Sequence, residues 1–236
     1  MKEIIVYYSI DHTHNLSAPR FETPTPLGSY FFENKKDKDY PYKFCPSFVS
    51  FIKNVFVLKS PYTYEFNIEG TKVTSELYDQ DFFNNHVNIR SIPSQLFSLK
   101  PYLIFFTEED SLKMSLEHPW LENNSYTQKC ITIAGEFDIG TYFRTLDFAF
   151  HIKKEFKDFN ITEGDVFYYT RFHTEHKIKF QRFMSTPKIN EYRRYLYHIK
   201  TNSRGHLSKP LDYFYSFFKK FNYKSHILKE IKENLI

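Results

Sequence analysis

The sequence predicts a mainly β chain, a β-sandwich or jelly-roll core followed by a C-terminal α-helical cap. Three observations lead there. Of 236 residues, 27 are Phe and 19 are Tyr, against only 6 Gly, and aromatic residues suit half-buried pleated surfaces better than helices. Short segments rich in aromatic and β-branched residues, several of them alternating with polar ones, recur through residues 3–183, as expected of strands. Beyond Phe183 the apolar period becomes helical. The chain therefore divides into a core, residues 1–183 with a long loop at 11–42, and a basic helical part, residues 184–236. A hydrophobic content of 41% supplies a core for one domain of this length.

The elements follow in order. Residues 3–9 (EIIVYYS) read as the first strand. Residues 11–42 are polar, with Pro19, Pro24, Pro26 and a charged run at 34–39, and connections of that length usually carry function or motion. Residues 46–53 read as a short helix with Phe48, Phe51 and Ile52 inward. Strands at 55–58 and 62–68 come next, and Glu69-Gly70 turns the second into 71–74 as a hairpin. More strands are expected at 87–92, 102–106, 112–116, 129–137 and 147–152. The last two, 166–173 and 177–183, flank Thr174-Glu175-His176, a connection of hairpin length.

Ser185-Thr186-Pro187 then starts a helix, with a hydroxyl cap and Pro in the first turn. Tyr192, Tyr195, Leu196 and Ile199 repeat at its spacing. Ser208 and Pro210 open a second helix with Leu211, Phe214, Tyr215 and Phe218. Ser225 caps a third, with Ile227, Leu228, Ile231 and Leu235.

Several function classes lack their signatures. A phosphate-cradling loop needs glycines for close backbone approach, and neither GxGxxG nor GxxxxGKS/T occurs. No GxSxG nucleophile elbow is present. No apolar run approaches the roughly 18–20 residues of a membrane helix, and the start shows no signal-peptide pattern. Two cysteines, Cys45 and Cys130, are fewer than a secreted disulfide scaffold carries. Cytoplasm is the expected compartment, with no membrane partner. Cys130 lies in an apolar strand, and Cys45 precedes Pro46 at a helix start, where a thiol gains acidity.

Charge is unevenly distributed. The total is a mild +4, but residues 171–236 hold 15 Lys and Arg against 5 Asp and Glu, and the remainder holds 17 against 23. Such a split is matched either within the chain or by an acidic partner. The residues expected to meet a partner are Arg193, Arg194, Lys200, Arg204, Lys209, Lys219 and Lys220. An acidic protein surface is the expected partner. Nucleic acid is an alternative, because Tyr192, Tyr195, Tyr197, Tyr213 and Tyr215 interleave the cations and could stack on bases. Equally, those tyrosines are the stripe that packs the helices onto the core.

Metal binding is the other chemistry the residue types permit, and no cofactor besides a metal ion is suggested. His12 and His14 would share a face if the first strand continued, as an HxH metal pair does. His173 and His176 flank Thr174-Glu175, and HxE supplies two ligands of a facial triad. Neither pair has a third ligand at a diagnostic spacing, and the second reads equally as an exposed turn. Glu108-Glu109-Asp110 could hold a divalent cation or do acid–base work, or simply face water. Trp120, next to Pro119, is either a stacking platform or a loop anchor.

The stretches 133–139 (IAGEFDI), 161–165 (ITEGD) and 169–174 (YTRFHT), with Arg182-Phe183, Cys45-Pro46 and Lys59-Ser60-Pro61, resemble uncharacterised proteins of T4-like marine phages. The resemblance implies a phage origin and assigns no catalytic residue. On it rests the expectation of a non-enzymatic interaction module, a virion component or host-takeover factor. Its basic tail would then contact an acidic partner or neighbouring virion subunit, in host cytoplasm or virion. Glu163-Gly164-Asp165 before a strand also resembles cupin-type barrels, although the cupin histidine pattern is not matched there. A cupin-like metal-dependent oxygenase is the alternative reading.

Overall fold

Aromatic side chains at alternate strand positions need a second layer to bury them, and the described residues supply it with four sheets. The computed structural model describes residues 2–10, 22–34, 41–206, 218 and 220–236. The first sheet has β1 (Glu3–Ile10) at its centre, parallel to β15 (Lys177–Arg182) and antiparallel to β8 (Leu103–Thr107). The second runs β11 (Gly135–Asp138), β9 (Lys113–Glu117), β14 (Val166–Phe172), β3 (Val55–Lys59), β2 (Thr25–Pro26). The third runs β10 (Cys130–Thr132), β12 (Phe148–Ile152), β7 (Leu96–Leu99), β6 (Val87–Ser91). The fourth is β13 (Asp158–Ile161), β4 (Tyr64–Glu69), β5 (Lys72–Thr74).

All four sheets feed one core. Tyr8 and Phe105 come from the first, Phe56 and Phe172 from the second, Phe97 and Phe150 from the third, Phe66 and Phe159 from the fourth. Phe159 stacks on both Phe66 and Phe150 with centroids 4.8 Å apart, and Phe180 meets Phe56 edge-on at 4.8 Å, joining the first two sheets. Each such pair adds about 0.5–1.5 kcal/mol beyond the area it buries. The buried Tyr168 hydroxyl donates to Ala149 O at 2.6 Å, so its ring enters the core with its polar end satisfied. The chain is mainly β, a sandwich of sheets over an aromatic interior.

The helical part closes the other side of the first sheet. β1 and β8 alternate strictly, sending Val6, Tyr8 and Phe105 into the main core and Tyr7, Ile104 and Phe106 to a second cluster. That cluster is completed by Ile189 and Leu196 of α5 (Pro187–His206), Ile227 and Ile231 of α6 (Tyr223–Glu233), and Phe143, Phe183 and Phe218. Thr186 starts α5 as expected, its hydroxyl accepting from Ile189 N at 3.2 Å. The helix runs past residue 200 to His206, further than the sequence spacing suggested. The N-cap of α6 is Asn222 in a left-handed conformation, rather than Ser225. Most of the second helix expected in the tail lies outside the described residues.

Other expectations are corrected. β14 and β15 do not form a hairpin: β14 pairs with β3 and β9, while β15 crosses to another sheet and pairs with β1. The 129–137 strand is two strands in two sheets, preceded by α4 (Ser125–Lys129). The loop at 11–42 contains β2, then α1 (Leu27–Asn34), anchored by buried Leu27 and Phe31, and a short 3-10 turn at Pro41–Phe44. In α2 (Pro46–Phe51), Phe51 faces outward at 52% exposure, and only Ile52 just beyond it is fully inward. The expected Gly70 turn is confirmed, with φ +61° that glycine adopts without strain.

Candidate functional site

Among the described tail cations, two groups are placed by the fold. On α6, Lys224 Nζ lies 2.7 Å from Asp110 Oδ1 and donates to Glu109 O at 3.1 Å. Lys232 Nζ lies 2.9 Å from Glu108 Oε1, the oxygen that also accepts from Tyr7 OH at 2.7 Å. Lys188 of α5 reaches Glu230 of α6 at 2.9 Å. The run Glu108-Glu109-Asp110 is therefore counter-charge for the tail and for Lys2, which meets Glu109 at 2.5 Å. The Tyr7 hydrogen bond, with Lys232 beside it, holds the Glu108 carboxyl below its usual range. Backbones meet closely here: a Cβ on Gly140 would sit 2.3 Å from Glu109 O.

The second group faces a cleft of about 340 Å³ between α5 and the core, lined by Arg193, Arg194, Lys100, Arg144, Asp147 and Tyr197, among others. Arg144 is set by its neighbours. Phe143 packs on Phe106 at 4.9 Å, and Leu146 N donates to Leu103 O at 2.8 Å, so the two intervening residues, Arg144 and Thr145, are held on both sides. Arg144 is only 6% exposed, and its Nε has no hydrogen-bond partner. Its guanidinium carbon lies 4.4 Å from the centroid of the Tyr142 ring, a contact worth about 0.5–2 kcal/mol.

Lys100 follows β7, its backbone N donating to His86 O at 2.8 Å and its Nζ to Asn84 O at 3.0 Å. Those two carbonyls belong to α3 (Gln80–His86), whose start is capped by Asp79. Burial lowers the Lys100 ammonium pKa, against an opposing pull from Asp147. Asp147 is itself 3.4 Å from Arg90. Tyr102, also on the wall, holds φ +59°, a left-handed conformation that a bulky residue keeps only when its surroundings impose it. Its hydroxyl donates to Asn85 O at 2.6 Å.

Of the expected partner-binding residues, Arg193 and Arg194 are brought together with core cations. Lys200 and Arg204 fall on α5, Lys220 is exposed, and Lys209 and Lys219 lie outside the described residues. His12 and His14 also lie outside them. His173 Nε2 sits 3.1 Å from Ser115 Oγ and 3.7 Å from Glu136 Oε2. At His176 the backbone N donates to Thr174 Oγ1 at 3.1 Å. Among the described residues no group of three or more His, Cys, Asp or Glu side chains is placed to hold a metal ion.

Cys45 is the N-cap residue of α2, and Cys130 is buried, its thiol pushed up by desolvation. Trp120 is an anchor with an exposed edge, 5.5 Å from Phe51 and 5.6 Å from Tyr169. Lys100 and Arg144 were missed in the sequence. A Lys before Pro101 and an Arg between Phe143 and Thr145 carry no motif, and only the fold brings them together.

No protein-family model matches the chain, and no curated protein matches it. Among solved structures it is similar to a mutant dUTPase from phage phi11 of S. aureus, which coordinates a structural Mg(II) ion. The identity is 10%, over 51% of this chain and 76% of that one, with a TM-score of 0.31. That score lies below the level of a shared fold, and nothing of the neighbour's chemistry is carried over. No helix among the described residues is long and apolar enough to cross a membrane.

Proposed function

We propose that the chain is a non-enzymatic phage interaction module, a virion component or host-takeover factor acting in host cytoplasm or virion. In this reading its basic α5 face docks an acidic protein surface. The resemblance of 133–139, 161–165 and 169–174 to phage proteins supports the origin. One observation carries the docking surface: Arg193 and Arg194 join Lys100 and Arg144 around a cleft with one carboxylate, Asp147, which already lies beside Arg90. Lys224 and Lys232 of α6, by contrast, have carboxylates of their own at Asp110 and Glu108. Arg193 and Arg194 of α5 thereby add their charge to one cleft, where an acidic partner gains most.

Fluorescence anisotropy with labelled poly-glutamate and a labelled DNA duplex, over a salt series, tests this. The expected result is salt-sensitive binding of poly-glutamate that falls at least tenfold in Arg193→Glu/Arg194→Glu. Tighter binding to the duplex, with a log–log salt slope of about −0.9 for each of several phosphates, would replace the protein partner with nucleic acid. Poly-glutamate binding unaffected by the charge reversal would remove α5 from the reading.

A further inference from the structure

The floor of the cleft has a feature that a rim for an acidic protein does not need. An arginine only 6% exposed, with an unsatisfied Nε and its guanidinium over the Tyr142 ring, is an unusual thing for a fold to keep. Buried polar atoms are nearly always hydrogen-bonded, and an orphan donor points to a missing acceptor such as a bound anion. Arg144 is held there by Phe143 and Leu146 on either side, so the position is enforced by packing and not by a salt bridge. We propose that this cleft binds the phosphate group of a small phosphate monoester, with Arg144 as the buried anchor.

Three further features fit that ligand. The charge is right for a dianion: among the described residues four cations line the cleft, against one carboxylate that also meets Arg90. The donors are right, since guanidinium forks match phosphate oxygens in pairs and an ammonium adds a point charge. The size is right, because about 340 Å³ admits a small molecule and falls at the small end of ligand pockets, roughly 300–1,000 Å³. Tyr197, 49% exposed, lines the same cleft and adds apolar surface beside the phosphate position. Lys100 contributes too. Burial lowers its pKa and an arriving dianion pulls the other way, so phosphate binding favours its charged form.

This inference concerns the floor of the cleft and stands apart from any protein docking on its rim. Isothermal titration with inorganic phosphate, adenosine 5′-monophosphate and phosphoserine, against chloride at matched ionic strength, decides it. The parent protein should bind phosphate-bearing probes over chloride. Arg144→Met should lose at least tenfold, Arg144→Lys should recover part of that, and Arg194→Ala should lose several-fold. A monoester tighter than inorganic phosphate identifies an esterified ligand, and equal affinities identify free phosphate as the source of the same chemistry.

If Arg144→Met does not fold, Arg194→Ala and Lys100→Met carry the test. Phosphate no better than chloride, or folded Arg144→Lys and Arg194→Ala variants that bind like the parent, would overturn the proposal. Phosphate binding without poly-glutamate binding would count against the docking reading alone, and the reverse result against this one alone.

Discussion

Ile231→Ala asks what holds the helical part onto the sheets. Ile231 is 0% exposed, in a cluster with Tyr7, Ile104 and Phe106 of the first sheet and Ile227 of its own helix. Truncating a buried Ile to Ala costs about 2–5 kcal/mol, more where the surroundings cannot collapse into the cavity. One wall here is a hydrogen-bonded sheet whose opposite face is packed into the main core, so about 3–4 kcal/mol is expected. For a chain of this size that lowers Tm by about 6–16 °C. Lys232→Ala is the contrast. Its ion pair with Glu108 is nearly half exposed on both sides, and such pairs are worth about 0.2–1 kcal/mol. Urea unfolding followed by near-UV circular dichroism measures both. An Ile231→Ala cost below about 1 kcal/mol, or a larger cost for Lys232→Ala, would show that charge and not apolar burial docks the helix.

Three further outcomes follow from the same contacts. Glu108 and Glu230 have carboxyl pKa values below the ordinary 4.5, through Tyr7 and Lys188 respectively, so the stability they add is full above 4.5 and lost as pH falls through their lowered values. Glu108→Gln should flatten the acid limb of Tm against pH, and an unchanged limb would deny the linkage. Burial raises the Cys130 thiol pKa and hides its sulfur, so a thiol reagent should label the native protein at Cys45 only and both cysteines after unfolding; native labelling at Cys130 contradicts the packing. Gly140→Ala places a methyl 2.3 Å from Glu109 O and should cost about 1–3 kcal/mol by overpacking, which thermal melts would detect.

The strands were legible where an apolar run marked them, and the pairing was not. In β1 the strand could be read from its apolar run, but not that Val6 and Tyr8 on one face and Tyr7 on the other are buried in two different clusters. The three residues Thr174-Glu175-His176 suit a hairpin by length, yet the strands they join pair elsewhere. Connection length limits how far strands can part and says nothing of which neighbour buries more aromatic surface. Leu27, Tyr30 and Phe31 have helical spacing but sit amid prolines and charges, and tertiary burial of Leu27 and Phe31 outweighed that local polarity. Arg193 and Arg194 were legible as charge. Arg144 was not, because its burial is decided by Phe143 and Leu146 meeting strands far away in sequence.

The central claim is that the described tail cations serve two ends: Lys224 and Lys232 of α6 are matched to Asp110 and Glu108, and Arg193 and Arg194 of α5 line a ligand cleft. A paired charge reversal tests it most directly, with Tm and poly-glutamate affinity measured on the same two variants. Arg193→Glu/Arg194→Glu, with Arg194 exposed and Arg193 half-buried, should lower Tm less than the second variant does and lose at least tenfold in binding. Lys224→Glu/Lys232→Glu puts like charges against Asp110 and Glu108, and should lower Tm while leaving affinity within about twofold. Equal losses of Tm and affinity in both variants would contradict the division.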